Sequence, residues 1–176
     1  MNAPPGKNNK RSYSGKYMEV GKHAEKLVKE WLEKSGYVVL DCRCDPEYQE
    51  KEIDYKVVVG DTFVTTEVKS DYHLGVSGNV LFEVLRINHT APPEHAMKLG
   101  WSARTEADRI VFYAPQPNKI YKIKTADYIK AMQDYTYDAR GDTNFYYVET
   151  DNIKSTVNIL IPVKYFEGMF TIEDVI

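Results

Sequence analysis

The sequence is short of the residues that mark a disulfide scaffold, a metal cage or a membrane protein. It holds two cysteines, Cys42 and Cys44, in 176 residues. No disulfide framework can be drawn from two thiols spaced two apart. On a strand they face the same way and make half of a zinc site. The other half is missing, since the four histidines are scattered and structural zinc takes four ligands. The pair therefore reads as ordinary reduced cysteines. No apolar run approaches the ~20 residues of a membrane span, and the N-terminus lacks the apolar stretch of a secretory signal. The expectation is a cytoplasmic protein with no membrane partner.

Excess positive charge is also lacking: the chain carries a net −3 at pH 7. The distribution is uneven. Residues 1–16 contain Lys7, Lys10, Arg11 and Lys16 and no acid, which leaves −7 on residues 17–176. A basic, Pro-, Gly- and Asn-rich segment of this kind reads as a disordered tail. It either touches a phosphate backbone or merely solubilises the chain. An acidic body suits a nucleic-acid protein if some of its carboxylates hold a divalent cation.

From Tyr17, the residues Val20, Ala24, Leu27, Val28, Trp31 and Leu32 form an apolar stripe at spacings of three and four, which predicts a helix ended by Gly36. Tyr37–Leu40 reads as a strand and residues 41–52 as an acidic loop. Strands are predicted over Ile53–Val59, Thr62–Lys69, Val80–Leu85, Arg109–Ala114, Lys119–Lys122 and Val157–Pro162. Residues 86–104 read as irregular, around Pro92 and Pro93. Thr125 is placed as the cap of a helix over Ala126–Tyr135. There is no internal repeat. The order predicts one α/β domain over 17–176, a mixed β-sheet flanked by helices.

One hairpin concentrates the chemistry. If Gly60-Asp61 is a two-residue turn, Val59 pairs with Thr62, and counting back places Asp54 opposite Glu67. Directly opposed residues share a face with Cβ atoms ~5 Å apart. Lys69 lies two residues on and shares it. Ile53, Tyr55 and Val57 against Val68, Thr66 and Val64 make the other face, the better core candidate. Opposed carboxylates repel, and a divalent cation would offset that repulsion. Oxygen ligands suit magnesium, manganese or calcium. A neighbouring lysine can position or deprotonate a water, or neutralise developing negative charge.

Ile53-Asp54, a hairpin, then Glu67-Val68-Lys69 resembles the PD-(D/E)XK nuclease superfamily, the restriction-endonuclease-like fold. Further matching segments are the helix Gly21–Glu25, Ser77 to Glu83 with its Gly78-Asn79, Gly100-Trp101-Ser102, and Thr105 to Asp108. These resemble phage-type members, and the likeness spans residues 17 to 130. Ile53 stands where the family often has proline, and Ser102-Ala103 where a glycine is usual. The resemblance implies metal-dependent phosphodiester hydrolysis on DNA with magnesium or manganese. Asp54 and Glu67 would be metal ligands and Lys69 would act on the water or transition state. Glu25 would complete the site, and Glu83 and Asp108 would be accessory polar contacts. It also points towards phage or mobile-element DNA processing and leaves a homodimer open.

Blander assignments stand beside these. Asp54 and Glu67 could be surface partners of Lys56 or Lys69, and Glu25 a solvated helix flank. His73 either approaches a scissile phosphate or is simply solvated. Trp101 and the tyrosines Tyr128, Tyr135, Tyr137, Tyr146 and Tyr147 either stack on unpaired bases or, the favoured reading, pack the interior. For the whole chain the rivals are a catalytically inactive nuclease-fold binding module and a phage protein that inhibits a host factor.

Overall fold

The computed structural model describes residues 14–139, 145–149 and 153–175. Helix α1 (Ser14–Lys34) begins three residues before the predicted start. Its buried stripe is Ala24, Val28, Trp31 and Leu32, the i, i+4, i+7, i+8 pattern of one helix face. Gly36, at φ +88°, closes it. Gly36 N–H donates to the Glu33 carbonyl and Tyr37 N–H to the Leu32 carbonyl, the Schellman pairing that needs a left-handed residue at that point.

The chain continues through β1 (Val39–Asp41), α2 (Pro46–Glu50), β2 (Tyr55–Val59), β3 (Thr62–Ser70), α3 (Tyr72–Val76), β4 (Asn79–Asn88), β5 (Met97–Leu99), α4 (Trp101–Arg104), β6 (Arg109–Ala114) and β7 (Lys119–Lys124). It ends through α5 (Thr125–Asp138), β8 (Phe145–Glu149), β9 (Lys154–Pro162) and β10 (Thr171–Asp174). The main sheet has the order β1-β2-β3-β6-β7-β10. Its one parallel pairing is β3 with β6, and its other pairings are antiparallel. A helix, an antiparallel three-strand run and then a parallel strand make a restriction-endonuclease-like core, a mixed central sheet flanked by helices as the sequence predicts.

Successive residues of a strand face opposite ways, so β6 serves two cores. Val111 and Tyr113 join Tyr55, Val57 and Val68 beneath α1. Ile110 and Phe112 join Trp101, Tyr128 of α5, and Val80, Phe82, Ile159 and Ile161 of a second sheet. That sheet, ordered β5-β4-β9-β8, is antiparallel throughout. The described helices include none long and apolar enough to cross a membrane.

Several stretches differ from the sequence reading, which also predicts no element at α3, β8 or β10. The acidic loop at 41–52 contains α2, because Asp45 caps it by accepting the Glu47 N–H and Pro46 sets its first turn. The irregular span 86–104 holds the end of β4, a 3-10 turn at Pro93–His95, β5 and α4. These elements are too short for a period to show. Thr125 is the first residue of α5 and not its cap. Its hydroxyl is spent on the Ala107 carbonyl, 2.5 Å away.

Of the aromatic residues singled out in the sequence, Trp101, Tyr128 and Tyr135 pack inward, whereas Tyr137 is 84% exposed near the end of α5 and does not. Trp101 is buried, and Tyr128 is fully buried and stacked on Phe82 and Trp101. Tyr135 meets Tyr165 edge-on. The side chains of Tyr146 and Tyr147 lie outside the described residues. Cys42 and Cys44 are free.

Candidate active site

The hairpin has the register that Gly60-Asp61 predicts. Val59 pairs with Thr62 and Tyr55 with Thr66, and Gly60 takes φ +60°. Asp54, one residue ahead of β2, is thereby set opposite Glu67. The Asp54 N–H donates to the Thr66 carbonyl at 3.0 Å, and its Oδ2 accepts the Val68 N–H at 2.8 Å. Glu67 is 1% exposed, and its Oε1 meets the Lys69 ammonium.

Burial pushes both carboxyls up. For Asp54 it outweighs the nearby Lys69 charge and the Val68 N–H. For Glu67 it does so strongly, with Asp54 adding to the rise and Lys69 opposing it. Lys69, on the same face, makes an ion pair with Glu67 Oε1. Its Nζ is also 3.8 Å from Glu52 Oε2 and 4.9 Å from the Trp101 ring centroid. Burial works against its charge, but Glu67, Asp54 and Glu52 together hold the ammonium above the usual lysine range. The two partners thus pull in opposite senses. Lys69 keeps its charge, and the deeper Glu67 bears the desolvation.

These groups open into a cleft of about 670 Å³. Glu25 of α1 and Glu52 line it beside Asp54, Glu67 and Lys69. Lys22, Lys26 and Arg43 bring positive charge to it. Glu25 reaches the cleft without turning to the hairpin carboxylates. Its Oε2 accepts from Arg43 Nη1 at 2.8 Å, and its backbone carbonyl takes the Tyr55 hydroxyl at 3.0 Å. The same guanidinium clasps Asp41 through Nε and Nη2, at 2.9 and 2.6 Å. That bond holds the Asp41 carboxyl below its usual range. Among the described residues no three His, Cys, Asp or Glu side chains converge closely enough to hold a metal ion. Asp54 and Glu67 nonetheless fit a hard cation as two oxygen donors. They are opposed across the hairpin, and both line the cleft.

The remaining sequence candidates fall elsewhere. Glu83 is buried on β4, where its Oε1 accepts the Trp101 N–H at 3.2 Å and Arg86 Nη2 at 3.1 Å. Asp108 Oδ2 accepts both the N–H and the hydroxyl of Thr65 at 2.8 Å. Both tie elements together behind the site. His73 sits on α3, and its N–H donates to Asp71. It is not among the residues lining the cleft. Lys7, Lys10 and Arg11 lie outside the described residues, as does the side chain of Lys16.

Three polar residues of consequence escape sequence reasoning. Arg43 and Glu52 act on partners far along the chain, which no local pattern reveals. Asp71 could have been found as a cap from its place ahead of a short helix. Its Oδ1 accepts the His73 and Leu74 N–H groups and its Oδ2 the Leu81 N–H, although burial still leaves its carboxyl raised.

No family model matches the sequence, and no curated protein does. Among solved structures, the chain is similar to a bacterial homing endonuclease at 19% identity and a TM-score of 0.49. That match covers 65% of this chain and 73% of the other. It is similar to a nuclease from a fusselovirus at 14% identity and a TM-score of 0.30, over 94% and 89% of the two chains.

Proposed function

We propose that this chain is a metal-dependent nuclease that hydrolyses phosphodiester bonds in DNA, with magnesium or manganese as cofactor. The observation that carries the reading is the opposed, buried pair Asp54 and Glu67 with the Lys69 ammonium against it. Two desolvated carboxylates on adjacent strands are costly to keep unless something binds between them. Asp54 and Glu67 would hold the cation. Bound there, it would supply Lewis acidity and a water activated for attack.

Lys69 keeps its proton among three carboxylates. Its part is therefore to donate to and neutralise charge building on the phosphoryl oxygens, not to take a proton from water. Lys22 and Lys26, which line the cleft, would hold flanking phosphates. The basic residues Lys7, Lys10, Arg11 and Lys16 would extend that contact. The sequence resemblance points towards a role in phage or mobile-element DNA processing.

The deciding experiment compares wild type with Glu67→Ala and Lys69→Ala on duplex, single-stranded and branched DNA, and on RNA. Each is run with magnesium, with manganese and with chelator. Metal-dependent cutting that both variants lose is the expected result. One observation favours a second reading, a nuclease-fold binding module without catalysis: Glu25 is paired with Arg43, and among the described residues no third acid converges with Asp54 and Glu67 as a metal cluster. Binding of DNA with no cutting under any metal would establish that reading and refute the first.

A further inference from the structure

Glu52 has a backbone that is awkward for its residue type. Its φ is +52°, in the left-handed region that a non-glycine residue enters only at a cost. The surroundings enforce it. The Glu52 carbonyl accepts the Thr105 hydroxyl at 3.2 Å, and the adjacent Lys51 carbonyl takes the Glu106 N–H at 2.9 Å. The side chain so aimed is 16% exposed at its place in the cleft wall. It pairs with Arg104 through Oε1 and faces Lys69 Nζ at 3.8 Å through Oε2. Trp101, in the same turn as Arg104, lays its ring 4.9 Å from that Nζ. The Lys69 ammonium is thus walled by Glu67, Glu52 and an aromatic face.

We infer that Glu52 is the positioning residue for Lys69, itself held in place by Arg104. The inference rests on the nuclease reading of the site for its consequence, though not for its geometry. A cation bound by Glu67 occupies the carboxylate against which Lys69 now lies. Without another counter-charge, Lys69 would be repelled by that cation towards solvent. Glu52 stands outside the opposed pair and stays available to Lys69. A glycine would meet the backbone requirement at φ +52° with less strain, so the conformation alone does not call for glutamate. The carboxylate does, by facing Arg104 and Lys69 at once.

The test separates shape from charge. Glu52→Gly relieves the backbone, Glu52→Asn tolerates it without charge, and Glu52→Asp keeps a shorter carboxylate. Metal-dependent DNA cleavage at saturating substrate is expected to fall about 10- to 100-fold in the Gly and Asn variants, as when an outer partner of a site residue is lost. The Gly variant should melt no lower than wild type, and Asp should recover part of the rate. A wild-type kcat in Glu52→Gly would overturn the inference, as would a loss matched by a fallen melting temperature in every variant.

The side-chain 15N resonance of Lys69 gives a second readout, independent of activity. Its ammonium signal should be present and slow to exchange in wild type and broadened away in Glu52→Asn. An unchanged signal in that variant overturns the inference. If wild type cuts no nucleic acid, the nuclease reading fails alone, and the resonance still decides whether Glu52 holds Lys69.

Discussion

Replacing Glu67 by glutamine should make the protein more stable while destroying its proposed activity. Glu67 is 1% exposed, and its Oε1 is paired with the Lys69 ammonium. The desolvation of a buried ion pair can outweigh its Coulombic gain by about 1–4 kcal/mol. Glutamine keeps the shape and removes the charge, and Lys69 retains Glu52 as a counter-charge. The expected gain is about 1–3 kcal/mol, or roughly 3–10 °C for a chain of this size. Its pH dependence is fixed in sign. The folded pKa of Glu67 lies above its unfolded value, so the native state binds the proton more tightly. Wild type therefore loses stability as pH climbs from the ordinary glutamate range, about 4.3, towards the folded value. Below that window Glu67 is protonated in both states, and the two proteins should be equally stable. Melting wild type and Glu67→Gln in chelator at pH 4 and pH 8 tests this. A variant no more stable at pH 8, or one with the same gain at both values, would refute the reasoning.

Three further outcomes can be checked. Magnesium or manganese at a hundred times its Kd should add about 2.7 kcal/mol to wild type, roughly 5–10 °C; calorimetry should find no such shift in Asp54→Asn. Combining Lys22→Glu with Lys26→Glu should weaken DNA binding for all sequences alike and lower the salt slope by about one per lost phosphate contact, measured as affinity against salt with cutting suppressed by chelator. Gly100→Ala should cost about 1–3 kcal/mol or more, because a Cβ there would lie 2.1 Å from the Glu83 carbonyl oxygen; thermal melting with Trp101 fluorescence would report it.

What could be read from the sequence was local. A two-residue turn dictates its own register, so Asp54 could be set against Glu67 by counting. The stripe from Ala24 to Leu32 is a period that needs no partner to be seen. What could not be read depends on long separations or very short elements. Arg43 meets Glu25 eighteen residues back, and Glu52 meets Arg104 fifty-two residues on. Neither spacing has a pattern. The second sheet joins β4 to β9 across most of the C-terminal half, and its edge β5 spans only Met97–Leu99. The resemblance put Glu25 with the metal ligands, and the guanidinium that engages it, Arg43, went unremarked.

Strands β4 and β5 lie within the crossover that joins β3 to β6, while their sheet partners β9 and β8 follow α5. Every side chain of the cleft and its wall is therefore synthesised by residue 104, yet Val80 and Phe82 behind that wall find Ile159 and Ile161 only when β9 arrives. On a ribosome the chain would carry a complete set of reactive groups for many tens of residues before it could hold them still. The rigidity of that wall is thus delayed by topology until β9 has docked.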